Sequence, residues 1–225
     1  MRTLFLILTA VCAYFLGGIN GSIIVSRYIF HKDVRKYGSG NAGLTNFFRT
    51  FGPVGIVLVL LIDVLKSVIA ISIGGALLGI VGQRMVGKVF AGFCLILGHS
   101  YPAFYQFKGG KGVLCGGVMA IMIDWRVGLC CWVAFIVVVI FTRYVSLGSM
   151  ISSLLCPISM WIFSGTGDGF TGLECVLALL CALLIVFRHA ENILRLIGGT
   201  ENRLDFGKHS PTLREGEEED EDDMY

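Results

Sequence analysis

The stretch Gly112-Val-Leu-Cys-Gly-Gly-Val-Met-Ala-Ile-Met-Ile-Asp124-Trp125-Arg126-Val-Gly-Leu-Cys-Cys-Trp-Val-Ala-Phe-Ile-Val-Val-Val-Ile-Phe-Thr142 decides the architecture. Two apolar runs, 112–123 and 127–142, meet at Asp124-Trp125-Arg126, a charged and aromatic trio of the kind that sits where a bilayer meets water. Unbroken, the stretch is one long span; broken at the trio, it is two short ones. Crossing a hydrocarbon core of ~30 Å takes ~20 apolar residues. Further apolar candidates lie at 3–26, 53–75, 85–105, 147–163 and 172–187, so the chain has six spans or seven.

Loop charge separates the two. Positions 27–49 hold Arg27, Lys32, Arg35, Lys36 and Arg49 against Asp33 alone, and the segment beyond 187 brings Arg188, Arg195, Arg203, Lys208 and Arg214. The positive-inside rule puts both in the cytoplasm and the N-terminus outside. Counting from there, Lys108 and Lys111 also fall inside, and the C-terminal segment returns inside only if 112–142 crosses twice. The charges therefore favour an all-α polytopic membrane protein of about seven transmembrane helices, N-terminus outside and C-terminus cytoplasmic. Its outer loops are 76–84, 124–126 and 164–171.

Composition agrees. The chain has 225 residues, 55% of them hydrophobic and 15% charged, with a mean hydropathy of +0.78. That is more apolar than soluble domains allow. The first apolar segment, Leu4 to Val25, lacks a small-residue cleavage site and reads as a retained helix. The net charge of +2 hides an asymmetry: Glu215 to Asp223 carries eight of the sixteen carboxylates, leaving eight against eighteen Lys and Arg elsewhere. Such a run repels itself and buries nothing, so one membrane domain, 1–205, is expected to be followed by an acidic, disordered tail, 206–225. The eight cysteines show no metal-site spacing and read as small core residues.

Four polar clusters interrupt the apolar text, all on the inner face of the seven-span arrangement. In 37–49, Gly38, Gly40 and Gly43 permit positive φ, so consecutive N–H groups can form an anion-holding nest, with Ser39 and Asn41 as added donors. Thr45 or Asn46 is placed to cap a helix aimed at the same anion, and Arg49 to grip it with two N–H groups. In 98–112, Gly109, Gly110 and Gly112 surround Lys111 beside the interfacial His99. The P-loop spacing is absent and Val113 stands where Ser or Thr would hold magnesium, which disfavours a nucleotide triphosphatase. The third cluster contributes Ser146 and Ser149. In the fourth, a helix continuing past 187 sets His189 and Asn192 on one face, beside Arg188 and Arg195. Within the spans, Asp63 and Lys66 lie at i, i+3 and read as a structural ion pair.

Absences narrow the chemistry. The residues five after His31, His99, His189 and His209 are Lys36, Phe104, Leu194 and Arg214. The His/Asp dyad of the common glycerolipid acyltransferases is thus missing, as is a GxSxG elbow. A transporter would scatter its polar residues near the bilayer midplane on both halves of an inverted repeat, whereas these gather at one face.

Three of the clusters closely resemble the bacterial membrane glycerol-3-phosphate acyltransferases that use acyl phosphate as donor, the PlsY family. Gly38-Ser-Gly-Asn-x-Gly-x-Thr-Asn-x-x-Arg49, Gly98-His-x-x-Pro-x-x-x-x-Phe-x-Gly-Gly-Lys-Gly-Val113 and Arg188-His-x-x-Asn-Ile-x-Arg-Leu196 with Gly199 and Glu201 are similar to its three motifs in order and spacing. Leu44 and Leu114-Cys115 depart from the usual residues. The resemblance implies a multi-pass protein of the bacterial inner membrane whose site faces the cytoplasm. It implies transfer of an acyl group from acyl phosphate to glycerol 3-phosphate, giving lysophosphatidic acid and phosphate, the first step of phospholipid synthesis. Membrane lipid surrounds the reaction; no cofactor, metal or nucleic acid is implied. His189, Asn192, Ser39, Arg49 and Lys111 are then expected to be catalytic. Gly38, Gly40, Asn41, Gly43, Thr45, Asn46, His99, Gly109, Gly110, Gly112, Ser146, Ser149, Arg188 and Arg195 are expected to bind substrate or phosphate. Glu201 is expected to be structural.

Overall fold

The computed structural model describes residues 1–164 and 170–204, and every regular element among them is helical. The helices are α1 (Arg2–Gly18), α2 (Gly21–Ile29), α3 (Leu44–Phe51), α4 (Ile56–Gly79), α5 (Arg84–Ser100), α6 (Val113–Ile123), α7 (Trp125–Thr142), α8 (Val145–Phe163), α9 (Gly172–Phe187) and α10 (Ala190–Ile197). The tail expected at 206–225 and most of the loop expected at 164–171 lie outside the described residues.

Each apolar candidate of the sequence meets a helix, with corrections at the ends. The first is two helices: the chain breaks at Ile19 and Asn20, and the Asn20 side chain caps α2 by accepting from the Ile23 N–H at 3.0 Å. The third ends at Ser100 rather than 105. The break at Asp124 is real, because its carboxylate caps α7, accepting from the Arg126 N–H at 2.8 Å and pairing with the Arg126 guanidinium at 2.6 Å. Four helical segments, Arg2–Ile29, Ile56–Gly79, Trp125–Thr142 and Val145–Phe163, are long and apolar enough to cross a membrane. The bent pair Gly172–Phe187 and Ala190–Ile197 makes a fifth. By contrast α6, at 11 residues, rises only about 16 Å.

Large apolar side chains also cover the outside of the bundle. Phe141 is 83% exposed and Trp161 68%, on faces that only lipid can cover. Between helices lipid offers no hydrophobic contrast, so close approach of small residues supplies the contact. At the crossing of α1 and α5, a Cβ on Gly98 would lie 2.0 Å from the Tyr14 carbonyl oxygen and one on Gly17 2.3 Å from that of Leu95. A core of Ala70, Ile71, Val89, Leu95, Ile96 and Met119 fills the centre.

A second, smaller core fixes the first polar loop. Ile23, Val34, Ala42, Phe47 and Val59 bury themselves between α2, α3 and α4. Asp33 accepts from Arg27 at 2.7 Å and Arg35 at 2.7 Å. Burial alone would raise its carboxyl, but the two guanidiniums hold it down at about 2. The loop is thereby pinned to the bundle.

Candidate active site

Four segments distant in sequence close on one cavity of about 450 Å³. One side of its wall is polar: Ser39, Asn41, Thr45 and Arg49 from the first loop and α3, Lys111 from the second loop, Ser146 and Ser149 from α8, and His189, Asn192 and Arg195 from the turn into α10. Asn46, Asp63 and His99 also reach the lining, and an apolar part of it includes Leu60, Met119, Trp132, Phe135, Ala178 and Ile185.

The polar wall is tied together by the Glu201 carboxylate. Its Oε1 accepts from Ser146 Oγ at 2.7 Å and from Asn192 Nδ2 at 2.7 Å, and its Oε2 from Arg195 Nε at 2.8 Å. Burial alone would raise Glu201, yet these bonds keep it below its ordinary range and ionised. With Nδ2 committed to Glu201, the Asn192 Oδ1 faces Lys111 and accepts from its Nζ. Arg49 donates to the Asn202 carbonyl at 3.1 Å. Burial pulls Arg49 downward, with Glu201 acting against the shift and Arg195 for it. Arg195 also lies 3.8 Å from the exposed Glu191 carboxylate, so the three cations Arg49, Lys111 and Arg195 meet two carboxylates, one buried and one exposed, leaving an excess of positive charge.

Lys111 is pushed down to about 8, by burial first and then by Arg195. His189 is 2% exposed and is pushed down to about 4, again by burial first and next by Lys111. Its Nδ1 lies 2.8 Å from the Ile185 carbonyl, an atom that can only accept. The neutral ring is therefore protonated at Nδ1 and carries its lone pair on Nε2.

The family model described as glycerol-3-phosphate acyltransferase matches residues 7–199. The chain belongs to the glycerol-3-phosphate acyltransferase family. Among curated members of that name, the one from Thermoanaerobacter sp. is 37% identical over 201 residues, covering 89% of this chain and 96% of its own length. The member from Shouchella clausii is 40% identical over 201 residues, covering 88% and 96%. A crystal structure of PlsY, an integral membrane glycerol 3-phosphate acyltransferase, in its glycerol 3-phosphate form is similar with a TM-score of 0.78 and 30% identity. Its lysophosphatidic acid form has a TM-score of 0.75 and 29% identity, and each covers 89% of this chain and 96% of the other.

In this member of the acyltransferase family, the sequence-derived residues fall into two groups. Ser39, Asn41, Gly43, Thr45, Asn46, Arg49, His99, Lys111, Gly112, Ser146, Ser149, His189, Asn192 and Arg195 line the cavity. Gly38, Gly40, Gly109, Gly110, Arg188 and Glu201 are not part of its lining. Gly109 and Gly110 are close-packed on His99, and their carbonyls accept from Arg188, at 3.4 Å and 3.2 Å. Arg188 also lies 4.8 Å over the Tyr101 ring.

Three local expectations are corrected. Gly38 and Gly40 have φ of 58° and 67°, but Gly43 is extended at −122° and is itself the cap residue of α3, so neither Thr45 nor Asn46 caps it. The Asn46 amide is instead spent on the preceding loop: Oδ1 accepts from the Ser39 N–H at 2.9 Å, and Nδ2 donates to the carbonyls of Val34 at 3.1 Å and Tyr37 at 3.0 Å. It thus acts on the nest by bracing Ser39. The helix expected past 187 breaks at Arg188 and His189 with a bend of 58°, which turns both His189 and Asn192 into the cavity. Sequence reasoning passed over Trp132 and Phe135 because an aromatic in an apolar span reads as lipid-facing. Among the described residues, no group of three His, Cys, Asp or Glu side chains gathers to hold a metal ion.

Proposed function

We propose that the protein transfers an acyl group from acyl phosphate to glycerol 3-phosphate, forming lysophosphatidic acid and phosphate. The observation that carries this is a single cavity with a cationic wall of Arg49, Lys111 and Arg195 continuous with an apolar wall of Met119, Trp132 and Phe135. A phosphate-bearing polar acceptor and a long acyl donor need those two surfaces side by side. The crystallised relatives, whose names and forms carry glycerol 3-phosphate and lysophosphatidic acid, support the same substrate and product.

An acyl phosphate is a mixed anhydride and already activated, so the glycerol hydroxyl attacks its carbonyl carbon directly. One C–O bond forms, the bond from the acyl carbon to the phosphate oxygen breaks, and phosphate departs with the electron pair. Ser39, Asn41, Thr45, Arg49 and Lys111 stabilise the acyl phosphate and its leaving group, with Gly38, Gly40, Gly43 and Asn46 shaping that nest. Gly112, Ser146, Ser149, His189 and Asn192 position glycerol 3-phosphate, with Gly109, Gly110 and Arg188 holding the second loop. His189 Nε2 is an acceptor for the hydroxyl, but a group titrating near 4 is a weak base, and a phosphate oxygen of the substrate takes the proton.

The same proposal carries the topology: seven spans, formed by α1 with α2, by α4, and by α5 to α9, with the N-terminus outside and the cavity mouth on the cytoplasmic side of a bacterial inner membrane. Residues 1–205 form the membrane domain and 206–225 the tail. The basic residues Arg27, Arg35, Lys108 and Arg188 on the inner segments support it. A reporter active only outside should work when fused after Asp124 and fail when fused after Lys108.

The activity is tested with purified protein in detergent, given acyl phosphate and labelled glycerol 3-phosphate without ATP, acyl-CoA or magnesium. Labelled lysophosphatidic acid is expected. Product only when acyl-CoA replaces acyl phosphate would overturn the donor assignment.

A further inference from the structure

A buried polar cluster that the reaction above leaves unused lies behind the second loop. Asp63 and Lys66 are each 3% exposed and His99 is 5% exposed. Lys66 Nζ lies 2.7 Å from Asp63 Oδ1, 2.6 Å from the Ile19 carbonyl oxygen and 2.8 Å from His99 Nδ1, with the Gly17 carbonyl at 3.2 Å. Asp63 Oδ1 also accepts from the Gly21 N–H at 3.2 Å. The cluster thus joins the break between α1 and α2 to α4 and α5. Asp63 and His99 line the cavity.

The chemistry of this arrangement fixes a proton. An ammonium has three N–H groups and no lone pair. Here they go to a carboxylate, to the carbonyls at the helix break, and to His99 Nδ1. A proton on Nδ1 would face the ammonium head-on, so Nδ1 is the acceptor and the neutral ring carries its hydrogen on Nε2. That nitrogen sits at the glycine loop: a Cβ on Gly110 would lie 2.2 Å from it. The loop is clamped there, because Gly110 N–H donates to the His99 carbonyl at 3.0 Å. Among the described residues Nε2 meets no acceptor of its own. Replacing a buried ion pair by apolar residues is often neutral for stability; here the ammonium also aims an N–H at a histidine in the cavity wall.

We propose that Asp63 and Lys66 are positioning residues that hold His99 in the Nε2–H form, making it a hydrogen-bond donor to the phosphate-bearing substrate in the cavity. The inference rests on the acyltransferase reading, but its first readout does not. Nitrogen-15 NMR of histidine-labelled protein, with the His99 signal assigned by its loss in His99→Gln, should show Nε2 protonated and Nδ1 bare. The double variant Asp63→Asn/Lys66→Met, which leaves no orphaned charge, should show mixed tautomers and raise KM for glycerol 3-phosphate by about tenfold or more, the effect of losing a hydrogen bond to a charged group. Lys66→Arg, which keeps a donor, should restore most of that loss.

Should the double variant fail to fold, the histidine variants carry the test. Gln reproduces the Nε2 donor and Asn only the Nδ1 acceptor, so His99→Gln should retain more activity than His99→Asn. Adding Lys66→Met, which removes the N–H donor, to His99→Gln should then change KM less than Lys66→Met does in the native background. A wild-type His99 protonated at Nδ1, equal activity of the two histidine variants, or full additivity with Lys66 would each overturn the proposal. An inactive wild type with Nε2–H intact would instead remove the reaction and leave the tautomer standing.

Discussion

Asn192 Nδ2 donates to Glu201 Oε1 at 2.7 Å, and that bond orients the amide so that its oxygen faces Lys111. A cavity-lining group is thus aimed by a carboxylate nine residues away, one that holds Ser146 and Arg195 at the same time. Glu201→Gln keeps the shape but puts an N–H against donors on one side or the other. Leaving buried donors unpaired costs about 1–3 kcal/mol. The variant should melt earlier in detergent and lose at least about tenfold in kcat/KM. A Gln variant with native melting and turnover would show that the carboxylate organises nothing.

Lys111 gives a pH signature. With its amine at about 8, the free enzyme loses this cation between pH 7 and 9. Bound phosphate dianion favours the charged form, so the loss should appear in kcat/KM for glycerol 3-phosphate and much less in kcat. Lys111→Arg should flatten the profile across that range, whatever it does to the maximum. A flat profile in the native enzyme would remove the Lys111 ammonium from acceptor binding.

His189 should make stability depend on pH. Its folded value of about 4 lies below the ordinary 6.5, so between the two the unfolded chain binds a proton that the folded chain refuses. Stability is therefore complete above about 6.5 and declines as pH falls toward 4, by about 3 kcal/mol in all. His189→Gln should lose that dependence relative to native protein in denaturant titrations at pH 7.5 and 4.5. A parallel shift of both proteins would assign the decline to other groups.

Much of this arrangement was legible in the sequence because membrane helices announce themselves by composition and loops by charge. The break at Asp124 was readable, since a carboxylate, a tryptophan and an arginine in succession are typical of the membrane–water interface. The break at Arg188 and His189 was not: neither Gly nor Pro marks it, and the turn comes from packing that draws His189 and Asn192 into the cavity. The cap of α3 was missed for a related reason. Asn46 has the composition of a cap, but its amide is claimed by Val34, Tyr37 and Ser39, partners that only the folded loop supplies. The contact of Lys66 with His99 spans 33 residues and leaves no local pattern. The i, i+3 spacing of Asp63 and Lys66 displayed the pair, not its third partner.

Small residues carry the helix crossings, and this predicts an unequal response to one substitution. At Gly98 a methyl group would sit 2.0 Å from the Tyr14 carbonyl oxygen, so α1 and α5 must separate. Gly98→Ala should destabilise by about 2–3 kcal/mol, the usual range for overpacking. At Gly172, in the first turn of α9, nothing among the described residues lies within 4 Å, and Ala should be neutral or stabilise by up to about 1 kcal/mol through helix propensity. Thermal melts of the two single variants decide it, and equal effects would mean that the crossing relaxes freely.

The apolar wall predicts where chain-length preference resides. Trp132 and Phe135 of α7 stand in the cavity lining, and the Trp132 indole lies so close to Gly117 of α6 that a Cβ there would sit 3.0 Å from it. Each methylene buried contributes about 0.8 kcal/mol, a factor of about four in kcat/KM while room lasts. Trp132→Ala should move the optimum toward longer or branched acyl phosphates, because it removes the bulk that limits the space. Gly117→Val should drive the indole inward and move the optimum toward shorter ones. The two shifts must be opposite in sign in a series of acyl phosphates of increasing length, with KM for glycerol 3-phosphate little changed. Shifts of the same sign, or changes confined to glycerol 3-phosphate, would mean that the acyl chain lies elsewhere and that this wall faces only lipid.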